Sequence, residues 1–177
     1  VNAESARQLR LLDLQAIDTR LDQIAHARSH LPQLAELADL EGKARLIDDQ
    51  LVRSRTELGD VQREVAKAES DVQLVRDRAA RDQARLDAGT GTAKDLQAIQ
   101  HELTSLARRQ SELEDIELEV MERAEAAESD VAELEHGRGE LTERLTALEA
   151  ARDEAFARLD AEAADIANAV FDGTDAV

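Results

Sequence analysis

Cysteine, tryptophan and tyrosine are missing from these 177 residues, and phenylalanine occurs only twice. Without cysteine the chain has no disulfides and no thiolate metal ligands. Without large aromatic rings it lacks the side chains that fill most globular cores. No apolar run approaches the roughly 20 residues that a bilayer-spanning helix needs. Nor is there a charged start followed by an apolar segment and a cleavage site, so no secretory signal is read and the cytoplasm is the expected location. Basic residues are also scarce, 22 against 40 acids, for a formal net charge of -18. That balance argues against general attraction to nucleic acid or to an anionic membrane. What is left is alanine, leucine and valine among 35% charged residues. This composition suits long helices with one buried stripe better than a compact core.

The stripe is legible. From Leu37 the positions Leu40, Ala44, Ile47, Leu51, Ser54, Leu58, Val61, Val65, Ala68, Val72, Val75, Ala79, Asp82 and Leu86 alternate steps of three and four. After Gly89-Thr90-Gly91-Thr92 the pattern resumes at Leu96, Ile99, Leu103, Leu106, Gln110 and Leu113, and continues to Ile166. Steps averaging 3.5 residues keep a narrow seam facing a partner helix, as in a coiled coil. Polar residues interrupt it at Ser54, Asp82, Gln110, Glu117, Arg138, Arg152 and Glu162. Such residues either fix register or reach water from an exposed two-helix pair.

Three helices are predicted, at about 4–30, 33–88 and 93–170. The first has its seam at Leu14, Ile17, Leu21, Ile24 and Leu31, and Pro32 breaks or kinks it, because proline removes a backbone donor and clashes with the preceding turn. The seam also changes register there. Gly89 is placed to end the second helix and Thr92 to cap the third, with Asp95 three residues on. The expected fold is all-α: a long antiparallel coiled-coil hairpin over residues 1–171, its first arm broken near Pro32, its turn at Gly89–Thr92. An intermolecular coil, or a swapped dimer with the turn straightened into helix, is the competing solution, disfavoured by two glycines around one threonine. The hairpin is expected to pair Leu86 with Leu96, Val75 with Leu106 and Ile47 with Leu134. The same alignment puts Gly42 level with Gly137 and Gly139, near the Pro32 break. These glycines would permit close helix approach, or form with Pro32 a flexible joint, or reflect drift at an undemanding surface.

Charge is uneven. Around the turn, Arg76, Arg78, Arg81, Arg85, Lys94, Arg108 and Arg109 slightly outnumber Asp77, Asp82, Asp87, Asp95 and Glu102. From Ser111 onward acids dominate. A solvated helical face with intrahelical pairs is the plain reading; a basic docking end on an acidic shaft is the functional one. Catalytic chemistry finds no footing. Asp22, His26 and His30 share one helical face, but nothing would shield a metal there, and no metal or catalytic site is assigned. The turn lacks the glycine spacing and preceding strand of a phosphate loop. Two paired helices offer no cleft in which a nucleophile, base and oxyanion donors converge.

The run from Thr92 through Lys94-Asp95-Leu96-Gln97, His101-Glu102-Leu103 and Arg108-Arg109 to Glu122, with Arg76-Asp77-Arg78 before the turn, resembles the turn signature of the C4-type zinc-ribbon coiled-coil proteins, in the form found in mycobacteria. That resemblance implies a helical hairpin followed by a ribbon of two Cys-x-x-Cys pairs binding zinc. This sequence contains no such cysteines, so it needs no cofactor itself, and residues 172–177 would lead towards the ribbon. Relatives in other bacteria partner a sigma factor, regulate type III secretion or flagella, or bind mRNA. The implied role is a non-enzymatic adaptor or chaperone for protein partners, in transcription or secretion. The alternative is a nucleic-acid-binding protein that acts through the ribbon, with the hairpin as spacer. Carried onto this sequence, the partner surface comprises Arg78, Arg81, Lys94, Asp95, Gln97, His101, Arg108 and Arg109. No membrane partner is implied, and the chain is expected as a monomer or weak homodimer.

Overall fold

The computed structural model describes residues 2–172, with side chains for residues 7–169. They form three helices, α1 (Asn2–Ser29), α2 (Pro32–Asp87) and α3 (Ala93–Asp172), with no strand among the described residues. The chain is an all-α helical hairpin, and its helix ends fall within about two residues of the sequence expectation, which is how far such boundaries ordinarily vary. Of the predicted linker at 172–177, Asp172 is the last residue of α3, and residues 173–177 lie outside the described residues. Pro32 is the first residue of α2, where its fixed φ suits a helix start and its missing N–H is no loss. The backbone ladder stops at His30, which donates to the carbonyls of His26 and Ala27, and restarts with Leu34 donating to Leu31. The descending helix α3 has no such interruption.

Two compact units divide these residues, and α2 and α3 contribute to both. One comprises residues 47–137. Its seam buries Leu51, Val61, Ala68 and Val72 of α2 against Ile99, Leu106, Leu113, Val120 and Val131 of α3. Polar side chains line both edges. On one edge Arg55 reaches Glu135 (2.6 Å), Gln62 reaches Glu128 (3.4 Å) and Arg76 reaches Glu114 (2.6 Å). On the other Arg78 reaches Glu102 (2.6 Å) and Arg123 reaches Glu64 (2.8 Å). All are exposed pairs, worth about 0–1 kcal/mol each, so burial along the seam supplies most of the stability.

These pairs correct the expected register. Leu134 lines a groove with Gln50 and Ser54, and its neighbour Glu135 bonds Arg55, so Leu134 stands level with Leu51 and not Ile47. Near the turn, the Arg76–Glu114 and Arg78–Glu102 pairs bracket a level at which Ala79, not Val75, is closest to Leu106. The alignment is displaced by one seam step. The turn sets where the chain reverses, but interlocking of the seam residues sets which ones meet.

The other unit comprises residues up to 46 together with those from 138 onward. Here α1 and the start of α2 lie against the last part of α3. Ile24, Leu37, Leu40 and Ala44 are buried on the first side and Ala155 on the second. Arg20 Nε donates to Glu162 (2.9 Å) and Arg28 pairs with Asp160. The Arg28 guanidinium also lies 4.7 Å from the centre of the Phe156 ring. The outer end of α1 is different: Leu9, Leu11, Leu12 and Leu14 are all exposed, although Leu14 was expected in the seam.

No polar or charged residue is buried among the described residues. The interruptions in the seam reach the edge instead. Asp82 meets Arg78 (3.9 Å) and Arg85 (3.6 Å), Gln110 donates to Glu114 (2.8 Å), Arg152 pairs with Asp153 (2.8 Å) and Glu162 takes Arg20. Of the two readings offered for such residues, escape to water fits. Gly42, Gly137 and Gly139 lie inside helices, and a Cβ built on any of them meets nothing within 4 Å. Close helix approach is therefore not what they provide.

Candidate functional site

The turn is built by four residues with distinct jobs. Gly89 (φ 63°) closes α2, its N–H donating to Leu86 O (3.0 Å), while Ala88 N–H donates to Ala84 O (3.0 Å). Gly91 (φ 133°) carries the chain across, in a region open only to glycine. Thr92 then caps α3. Its Oγ1 accepts from Asp95 N–H (3.3 Å), and Asp95 Oδ2 accepts from Thr92 N–H (2.9 Å) and Thr92 Oγ1–H (2.7 Å). This is a reciprocal capping box with aspartate as the third-position acid.

Hydrogen bonds from the Thr92 hydroxyl and backbone, with help from the nearby positive charge of Arg85, hold the Asp95 carboxyl below the ordinary aspartate range. A lowered folded-state value means that the cap contributes fully above the unfolded-state value and loses its contribution as pH falls through the folded one. An NMR titration of Asp95 is expected to show this depression, and Thr92→Ala to return the group towards its ordinary value.

Above the turn, the candidate residues fall on two helix faces. Arg78, Arg81 and Arg85 recur at three- and four-residue steps along α2, so they share a face. Arg78 reaches across to Glu102 of α3, and Arg85 is close enough to Asp95 to act on its charge. Lys94, Gln97, His101 and Arg108 form an exposed stripe on α3, also at helical spacing. Arg78 and Arg85 therefore stand at the edge facing α3, whereas the α3 stripe lies on the face opposite its seam. Their engagement differs. Asp95 is committed to the cap, Arg78 to Glu102, and Arg108 and Arg109 to Glu112 (3.8 and 3.3 Å). Arg81 and Lys94 have no ion pair among the described residues. Arg85 shares the α2 face of Arg78 but was left out of the candidate set, although its position seven residues beyond Arg78 marks it. On the opposite edge, hydrogen bonds from Gln110 and then Arg76 hold Glu114 below the ordinary glutamate range.

Elsewhere the His26 and His30 rings stack with centroids 4.0 Å apart, and the His30 Nδ1 donates to the His26 carbonyl (2.9 Å). Among the described residues no group of three or more histidines or carboxylates is arranged to hold a metal ion. The chain contains no cysteine, so its residues do not fit a four-cysteine zinc site. No described helix is long and apolar enough to cross a membrane.

A seam zipped between facing helices, with a capped glycine turn and a basic edge, defines a coiled-coil helical hairpin. Residues 14–172 match the CT398-like coiled coil hairpin domain, and the chain belongs to that family. The uncharacterized protein Rv2229c of Mycobacterium tuberculosis H37Rv is 37% identical over 160 residues, covering 90% of this chain and 65% of that protein. The uncharacterized protein ML1638 of Mycobacterium leprae is 34% identical over 134 residues, 76% of this chain and 52% of that one. A solved structure from Mycobacterium smegmatis superposes with a TM-score of 0.83 at 34% identity, covering 97% of this chain and 71% of that chain. The chain thus spans just under two thirds of the length of Rv2229c.

Proposed function

We propose that this hairpin is a non-enzymatic, cytoplasmic adaptor that docks an acidic surface of a protein partner on the Arg81–Lys94 side of its turn, in transcription or secretion control. The observation that supports it is that Arg81 and Lys94, both exposed and close to the turn in sequence, have no ion pair among the described residues, on a chain whose net charge is -18. Unpaired cations on an otherwise acidic molecule steer and orient an anionic partner more than they tighten its grip. Gln97 and His101 add exposed hydrogen-bonding groups, with Arg78, Arg108 and Arg109 able to exchange their carboxylates for those of a partner. Pro32, Gly42, Gly137 and Gly139 serve in this reading as a joint. The zinc ribbon that the resemblance implies would lie outside these residues and is not needed for this docking.

The test is quantitative co-purification from the native cell with Arg81→Glu, Lys94→Glu and the double variant. The double variant is expected to retain its helix content by circular dichroism and to lose partner recovery by about tenfold. Unchanged recovery of every partner would leave a purely structural hairpin. Tight, salt-sensitive binding of RNA or DNA by this chain alone would instead favour a nucleic-acid reading.

A further inference from the structure

Helix α1 carries two stripes where one would suffice to hold it. The first, Ile17, Leu21 and Ile24, is at least partly covered in the hairpin. The second consists of Leu9, Leu12, Ala16, Thr19 and Gln23, again at alternating steps of three and four. Leu9 and Leu12 on it are 63% and 61% exposed, and Leu12, Ala16, Thr19 and Gln23 line one shallow groove. A stripe with 3.5-residue periodicity, apolar at one end and small or neutral along the rest, is half of a coiled-coil interface. Exposed apolar surface of this kind marks an association site.

Charge indicates the occupant. Between residues 7 and 23 three arginines (Arg7, Arg10, Arg20) balance three aspartates (Asp13, Asp18, Asp22). Apart from the slightly basic turn end the rest of the chain is strongly acidic, so a second copy is repelled by most of the surface but not by this stretch. The order of charges also fixes direction. With two α1 helices antiparallel about a two-fold axis at Ala16, the edge positions set Asp13 beside the partner's Arg20 and Arg20 beside the partner's Asp13. A parallel pair would instead set Asp13 and Arg20 beside the partner's Gln8 and the partner's Gln15 and form no ion pair. Arg20 is available for this, since its side chain is 53% exposed while it holds Glu162.

We propose that the Leu9–Leu12–Ala16–Thr19–Gln23 stripe of α1 docks the same stripe of a second copy, antiparallel, in an isologous dimer. Each interface residue is used twice, as two-fold symmetry requires. The interaction is independent of the turn and leaves Arg81 and Lys94 of both copies free.

The absence of native cysteine makes the test clean, because a single introduced thiol reports one position. Ala16→Cys places two thiols at the two-fold axis. Leu9→Cys places them 14 residues apart along antiparallel helices, about 21 Å at 1.5 Å per residue. With a short bismaleimide linker, Ala16→Cys is expected to cross-link efficiently and Leu9→Cys to remain monomeric on a denaturing gel. Sedimentation of the unmodified chain should show a concentration-dependent dimer, and Leu9→Glu with Leu12→Glu should abolish it while leaving helix content intact. Cross-linking of both cysteine variants would mean a parallel pair and overturn the proposal. So would cross-linking of neither, a monomer at every concentration, or a dimer that survives the double glutamate variant.

Discussion

Val72→Asp is expected to lower the thermal unfolding midpoint by about 10 °C, while Leu74→Asp, two residues away, leaves it nearly unchanged. Val72 is 1% exposed and is the most deeply covered seam side chain, whereas Leu74 is 64% exposed. A carboxylate at position 72 would sit against Ala68 and the facing Leu113 stretch, and the nearest cation on its helix, Arg76, is already paired with Glu114. An uncompensated buried charge of this kind costs about 3–5 kcal/mol, and each kcal/mol shifts the midpoint of a chain this size by about 2–4 °C. Asp82 shows why position matters more than residue type. It occupies the same seam yet is tolerated, because it lies near the edge with Arg78 and Arg85 at hand. The sign with pH provides a check. Burial raises the new carboxyl's folded-state value, so the penalty is largest at neutral pH and shrinks as acid protonates it. Melting curves of both variants at pH 4 and pH 7 make the comparison. A Val72→Asp chain that melts like the parent would mean that the seam is not closed there.

Replacing Gly42, Gly137 and Gly139 together by alanine is expected to raise stability by about 2–3 kcal/mol, read from urea unfolding. Glycine inside a helix costs about 0.5–1 kcal/mol relative to alanine, and a Cβ at each of the three meets open space. Nothing in the packing opposes the gain. The experiment also separates the two remaining accounts of these glycines. If they are kept as a joint, the stabilised variant recovers less partner. If they reflect drift at an undemanding surface, recovery is unchanged. Gly91→Ala is the contrasting case, because its φ of 133° and the Asp95 Cβ 3.3 Å from an added Cβ both oppose a side chain. That change should destabilise.

Helix order, the break at Pro32 and the turn at Gly89–Gly91 were legible in the sequence because each rests on local chemistry. Proline cannot continue a ladder, glycine alone takes the left-handed bend, and threonine with a following acid makes a cap. Register was not legible. Along a regular seam, sliding one helix by one step brings apolar residues opposite apolar residues again, so Leu134 faces Leu51 as readily on paper as Ile47. Only the edge pairs, such as Arg55 with Glu135, distinguish the two alignments, and they require knowing which residues lie at the edge. The candidate side was partly legible. Basic residues near the turn stood out, and the cap spacing already pointed to Asp95, but counting charges could not show that Arg78 is spent on Glu102 while Arg81 has no ion pair among the described residues. The exposed leucines of α1 were missed for a related reason, since periodicity shows that a residue belongs to a stripe without showing that anything covers it.

The break at Leu31–Pro32 falls on one strand of the hairpin and has no counterpart on the other. Because the amide ladder ends at His30 and begins afresh at Leu34, α1 can peel away and re-anneal without disturbing a single helical bond in α2. Its amides should then exchange with deuterated solvent as one early block, ahead of both longer helices. Each such excursion would lay bare the α3 surface around Phe156, Asp160 and Glu162, so the chain holds in reserve a latent groove for one helix.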